Sequence, residues 1–218
     1  MDLRPFVEAH LPPAPARVLE VGCGRGDLAR AIARSGYRVV AIDPDAPSGE
    51  IFRAVSLEEF ADPGPFDAVV ASRSLHHIPD LGEALDKVAR LLRPGRPLIA
   101  SEHAWERLDE PTARWYLRHR LEAEPEAASS LAQCLSDWEH DHAGLHTYAT
   151  MRRELDRRFT ERYFGWTPYL YGELGGAVDP REERALIDAG EIQATGFRYV
   201  GERAAVRPGR PALGGGLS

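Results

Sequence analysis

Apolar residues recur along this chain in two alternating rhythms. Arg17 to Val21, Tyr37 to Ile42, Phe66 to Ser72 and Arg96 to Ser101 are short, predominantly apolar runs. Such runs read as strands covered on both faces, as in a parallel sheet. Between them the spacing lengthens to the helical period. Leu28, Ala29, Ile32 and Ala33 mark a helix over 27–34 that Gly36 ends, and Leu81, Leu85, Val88 and Leu92 line one face of a helix stopped by Arg93-Pro94-Gly95. Glu50 to Val55 is a weaker strand, and Val7 to Leu11 has room for one helical turn among Pro5, Pro12, Pro13 and Pro15. The β-α-β alternation predicts an α/β layer fold.

The alternation breaks after Ser101. Trp105, Leu108, Trp115, Leu117, Leu121 and Trp138, with Pro125 as punctuation, suggest two or three helices within 102–146. A segment leaving the fifth strand starts at the carboxyl edge of the sheet, where open α/β folds bind ligands, so 102–146 is expected to form a helical lid. A helix over 147–158 follows, with Tyr148, Met151 and Leu155 inward. Then come a strand from Phe159 to Trp166, a loop or short helix from Pro168 to Gly176, a helix from Pro180 to Ala189 and a strand from Gly196 to Val206. The Gly/Pro-rich tail, 208–218, is expected to be disordered. One domain over 1–218 accommodates all of this.

The first strand runs into Glu20-Val21-Gly22-Cys23-Gly24-Arg25-Gly26-Asp27. Alternate glycines allow a sharp turn and leave no Cβ between backbone and ligand. A strand, a glycine turn and a helix start together make a nucleotide-type site. A dinucleotide fingerprint would place a third glycine at 27, where Asp27 stands instead, at the helix end that a pyrophosphate would occupy. With Glu20, Asp27 makes the turn repel phosphate and suit a cationic ligand. Asp43, at the end of the second strand, can accept two ribose hydroxyls in a bidentate hydrogen bond or start an Asp-Pro turn with Pro44.

Glu20-x-Gly22-x-Gly24-x-Gly26 resembles the first motif of class I S-adenosylmethionine-dependent methyltransferases. Ala41-Ile42-Asp43-Pro44, the Phe66-Asp67 start of the fourth strand and Leu91-Leu92-Arg93-Pro94-Gly95 are similar to later elements of that family, over about 16–104. The resemblance to its small-molecule branch, near the quinone-biosynthesis methyltransferases, implies a Rossmann-like sandwich. Its sheet would be seven-stranded and mostly parallel with the last strand antiparallel, and the helical lid would be inserted after strand 5. It implies S-adenosyl-L-methionine as cofactor, held by Glu20, Gly22, Cys23, Gly24, Asp27, Asp43, Pro44, Leu57, Ser72 and Arg73.

Methyl transfer is an in-line displacement, so alignment supplies much of the catalysis, and a hydroxyl acceptor needs a base. His76 and His77, after the fourth strand, and Glu102 and His103, at the end of the fifth, are candidates. Glu139-His140-Asp141-His142-Ala143-Gly144-Leu145-His146 is another, with His140, His142 or His146 as base and Glu139 or Asp141 orienting the ring. The same cluster also reads as a solvated hinge, or as a metal pair with His142 and His146 at i, i+4 on one helix. No metal is assigned. Glu102, His103, Trp138 and Tyr169 are expected to line the acceptor pocket.

The net charge of −7 argues against a nucleic-acid partner, since phosphate binding needs clustered positive charge. Two cysteines make no disulfide framework. With no signal or membrane-spanning run, the expected setting is cytoplasmic and the expected partner a small-molecule acceptor, oligomeric state left open. The rivals are an NAD-dependent oxidoreductase, opposed by Asp27, and a non-catalytic relative that only binds the cofactor.

Overall fold

A computed structural model describes residues 3–123 and 130–203. Its strands are β1 (Arg17–Val21), β2 (Arg38–Asp43), β3 (Phe52–Ala54), β4 (Ala68–Ser72), β5 (Pro97–His103), β6 (Phe159–Thr167) and β7 (Gly196–Arg203). They form one sheet in the order β3-β2-β1-β4-β5-β7-β6. β7 runs antiparallel to both its neighbours, β5 and β6, and the other pairings are parallel. From β1 the chain winds outward to β3, then returns to start β4 on the other side of β1. That reversal opens a crevice at the carboxyl ends of β1 and β4, where such sheets bind ligands.

The helices are α1 (Arg4–His10), α2 (Asp27–Arg34), α3 (Leu81–Leu91), α4 (Glu110–Ala123), α5 (Leu131–His142), α6 (Tyr148–Asp156), α7 (Leu170–Glu173) and α8 (Pro180–Asp188). The patterns that predicted α2 and α3 match what these helices bury. α3 begins where the Asp80 carboxylate accepts the Glu83 amide at 2.9 Å, and it buries Leu81, Ala84, Leu85, Val88 and Leu91. Four of those are large aliphatics, each worth about 1.5–3 kcal/mol when taken from water. They pack with Leu19, Val69 and Leu98 of the sheet and with Met151 and Leu155 of α6. The opposite sheet face packs Val18, Val70 and Ile99 against Val7 of α1 and Ile32 of α2.

A third core lies apart from the sheet. Trp115 and Tyr116 of α4, Cys134 and Trp138 of α5, Leu170 of α7 and Ile192 pack together. The cap is therefore made of two stretches, the insertion and 170–192, whereas the lid expected from sequence was 102–146 alone. β5 also runs two residues beyond its expected end at Ser101, so Glu102 and His103 are strand residues and the insertion starts after them. α1 has seven residues where one turn was expected. Pro125, the end of the last strand at Val206 and the tail from Pro208 lie outside the described residues.

Candidate functional site

The crevice holds a cavity of about 640 Å³. All ten residues expected to hold a cofactor line it: Glu20, Gly22, Cys23, Gly24, Asp27, Asp43, Pro44, Leu57, Ser72 and Arg73. His76 and Tyr169 line it too, as do Ser56, Glu58, Ser74 and His77.

The glycine turn is shaped by two separate demands. A Cβ on Gly22 would stand 2.3 Å from the Cβ of Ser74, whose hydroxyl donates to the Val21 carbonyl at 3.0 Å. Gly22 thus lets β1 close onto the segment after β4. A Cβ on Gly24 would meet nothing within 4 Å, at φ +48°. Gly24 lines the cavity, so a side chain there would enter the ligand's space.

Asp43 is anchored by two backbone donors, Gly24 N–H to Oδ2 and Asp45 N–H to Oδ1, each at 2.9 Å. A carboxylate has about four acceptor positions, so two remain for a ligand's hydroxyls. Glu20 is 2% exposed and its Oε2 has no hydrogen-bond partner. Burial, and secondarily the charge of Asp43, push its pKa up to about 8. A buried carboxylate with an orphaned oxygen is completed by a cation or a hydrogen-bond donor. The donor set fits S-adenosylmethionine, with Glu20 toward its positive charge and Asp43 toward its ribose, and it opposes the pyrophosphate of a dinucleotide.

Beside the cavity lies a histidine–carboxylate pair. β4 and β5 are parallel neighbours with Ser72 opposite Ser101, so the residues just beyond meet. His76 Nδ1–H donates to Glu102 Oε2 at 2.6 Å. Oε1 of Glu102 accepts the amides of Ser74 at 3.0 Å and Leu75 at 2.9 Å. Glu102 is 1% exposed and His76 4%. The pair fixes the tautomer and leaves His76 Nε2 as the basic nitrogen. The adjacent His77, ring centroid 4.2 Å from that of His76, is held below the usual imidazole pKa by burial and then by His76.

The Glu139–His146 cluster is arranged differently from the sequence expectation. Glu139, His140 and Asp141 are solvent-exposed on α5. His142 Nδ1–H donates to the Trp138 carbonyl of its own helix at 2.7 Å, and its ring stacks on Trp138. α5 ends at His142, so His142 and His146 do not share a helical face. His146 Nε2–H donates to the Ile78 carbonyl at 2.8 Å, and its backbone N–H to the His76 carbonyl at 3.0 Å. None of the three histidines lines the cavity, and among the described residues neither Glu139 nor Asp141 bonds a histidine. Among the described residues no group of three His, Cys, Asp or Glu side chains converges to hold a metal.

Of the residues expected in the acceptor pocket, only Tyr169 faces the cavity. Its ring stacks on that of His103 at 3.9 Å, the two planes nearly parallel. His103 is buried, its Nε2 is unpartnered, and burial pushes its pKa down to about 2, so it is neutral. Trp138 packs edge-on to His103, and its Nε1–H donates to the Trp105 carbonyl at 3.0 Å. His103, Trp138 and Glu102 are thus supports behind the wall. The sequence marked Glu102 and His76 as residues at the ends of successive strands, and the pairing of β4 with β5 is what joins them.

Two solved structures share the fold. An S-adenosylmethionine-dependent methyltransferase from Mesorhizobium loti superposes with a TM-score of 0.59, at 18% identity over 91% of this chain and 96% of that one. Geranyl diphosphate C-methyltransferase from Streptomyces coelicolor A3(2) gives 0.57, at 17% identity over 92% and 78%. In sequence, the ubiquinone biosynthesis O-methyltransferase of Xylella fastidiosa (strain 9a5c) is 35% identical over 111 residues, and that of Xanthomonas axonopodis pv. citri (strain 306) 38% over the same length. Each match covers 44% of this chain and less than half of the relative. Residues 2–163 match the family model described as a methyltransferase domain, and the chain, with its Rossmann-like class I fold, belongs to that methyltransferase family.

Proposed function

We propose that this protein transfers a methyl group from S-adenosylmethionine to a hydroxyl of a small-molecule acceptor. The observation that carries the choice of oxygen is the buried Glu102–His76 pair opening onto the cavity. The cofactor, when bound, supplies an electrophilic methyl on a sulfonium. Glu20 and Asp43 bind and orient it, and open space at Gly24 admits it. His76 Nε2 takes the acceptor's proton while Glu102 holds the ring and stabilises the imidazolium that forms. A positioned base of this kind contributes about 10²–10⁴ in rate. Tyr169, backed by His103, closes the acceptor side and helps exclude water. The acidic lining from Glu20, Asp27, Asp43 and Glu58 and the net charge of −7 support a small molecule over a nucleic acid. No described helix is long and apolar enough to cross a membrane.

The test is incubation with methyl-labelled S-adenosylmethionine and a panel of phenols, catechols and amines. Label is expected on hydroxyl oxygen. Label confined to nitrogen would reject the oxygen assignment. Tight cofactor binding with no transfer to any acceptor would point to the non-catalytic relative.

A further inference from the structure

Arg73 is the one non-glycine residue with positive φ among the described residues, at +53°. It follows β4 directly, and its amide donates to the Ser101 carbonyl at 2.8 Å. The left-handed conformation is costly for an arginine and is tolerated where the surroundings over-determine it. Its side chain is exposed and lines the cavity. Tyr169 lines the same cavity, and among the described residues Arg73 is paired with no carboxylate. The Tyr169 ring stacks on His103, whose ring centroid is 6.2 Å from that of His76, so Tyr169 stands on the same side of the cavity as the His76–Glu102 pair. The far side of the cavity is lined by Glu20, Asp27, Asp43 and Glu58, with Arg25 of the glycine turn among them. Of the two arginines lining the cavity, Arg25 belongs to the glycine turn, whereas Arg73 lies three residues before His76 and is bonded through its amide to the residue preceding Glu102.

We propose that Arg73 recognises the acceptor rather than the cofactor, and that the acceptor carries an anionic oxygen group, a carboxylate or an ionised phenol, near the hydroxyl that is methylated. The inference rests on the hydroxyl-methylating reading above. A planar guanidinium with a fixed fork of donors suits such a group, and Tyr169 orients it. An anion held there aligns the neighbouring hydroxyl with His76. The oxygen then gains the methyl, the S–C bond breaks toward sulfur, and the hydroxyl proton leaves on His76.

Binding is read by calorimetry with the full chain saturated with S-adenosylhomocysteine. One probe pair is 3,4-dihydroxybenzoate against its uncharged amide; the other is 4-nitrocatechol, with its acidic phenol, against catechol. Wild type is expected to bind the anionic member of at least one pair tenfold or more tightly, and which pair responds tells carboxylate from phenolate. Arg73→Gln should reduce that preference to within twofold and leave S-adenosylmethionine affinity within twofold, and Arg73→Lys should recover part of it. Arg73→Gly, which relieves the backbone conformation, is expected to fold and to lose the preference as Arg73→Gln does. Absence of an anionic preference in wild type, including no binding of any probe, overturns the inference. So does an Arg73→Gln variant that loses cofactor affinity as much as probe affinity, which would return Arg73 to the cofactor. Anion-selective binding without methyl transfer would sink the proposed function and leave this inference standing, and transfer with no anion preference would do the reverse.

Discussion

Glu102→Gln isolates the base from the fold. Glu102 accepts three hydrogen bonds, two from the Ser74 and Leu75 amides and one from His76. Deleting the side chain to alanine would strand three buried donors at about 1–3 kcal/mol each, a loss on the scale of the whole stability of an ordinary domain, about 5–15 kcal/mol. Glutamine keeps one oxygen for the two amides and turns an N–H₂ toward His76. The imidazole must then accept at Nδ1, so its proton moves to Nε2, the position that should receive one. The predicted variant is folded, binds S-adenosylmethionine as wild type does, and turns over about 10²–10⁴-fold more slowly. Single-turnover transfer of labelled methyl under cofactor saturation measures the chemical step, calorimetry the affinity, and near-ultraviolet circular dichroism the fold. A folded Glu102→Gln enzyme with wild-type turnover would refute the assignment of His76 as base. Equal losses of affinity and rate would move Glu102 into the cofactor site.

Three further outcomes follow from the cavity's lining. The folded-state pKa of Glu20, about 8, lies above its unfolded value, so the folded state holds an extra proton between about pH 4.5 and 8, and stability should fall as pH rises through that window; the melting temperature of Glu20→Gln should lack this slope, and wild-type affinity for the cationic cofactor should rise as pH passes about 8. Gly24→Ala costs only its backbone conformation, about 1–2 kcal/mol, yet puts a methyl into the cavity, so calorimetry should find a folded protein whose cofactor affinity is down at least tenfold. Asp43→Ala should weaken cofactor binding by about 1–3 kcal/mol with acceptor affinity kept, and unchanged calorimetric affinity would remove Asp43 from the ribose.

The part of the cavity lining around the glycine turn was legible because it is local. Glycines 22, 24 and 26, the acid at 20 and the start of α2 lie within eight residues, and Asp43 follows from strand order alone. The acceptor side was less so, for two physical reasons. Glu102 and His76 are 26 residues apart in sequence, and only the β4–β5 pairing joins them. The conspicuous run from Glu139 to His146 looked reactive because its titratable residues are dense, but proximity in sequence is not convergence in space. Helix α5 points its acids to solvent, and His142 satisfies itself on its own backbone. The second half of the cap escaped notice since α7 has four residues and a weak pattern, and its seat depends on buried Glu183 accepting the amides of Tyr169, Leu170 and Tyr171.

His146 ties the end of the insertion to the turn that carries His76, through the His76 and Ile78 carbonyls. Specificity and reactivity are thereby wired in series. In many enzymes a surface insertion is an exchangeable part, drifting freely while the chemistry stays put. Here any exchange that loses His146 releases the segment bearing His76 as well, so if His76 is the base proposed above, a new acceptor preference obtained that way is expected to come with a slower enzyme. Variants that broaden the acceptor range should accumulate around Arg73 and Tyr169, with the chain's return through 146 left alone. Grafting a foreign insertion onto this sheet should succeed only where the graft ends on a side chain able to donate to the Ile78 carbonyl.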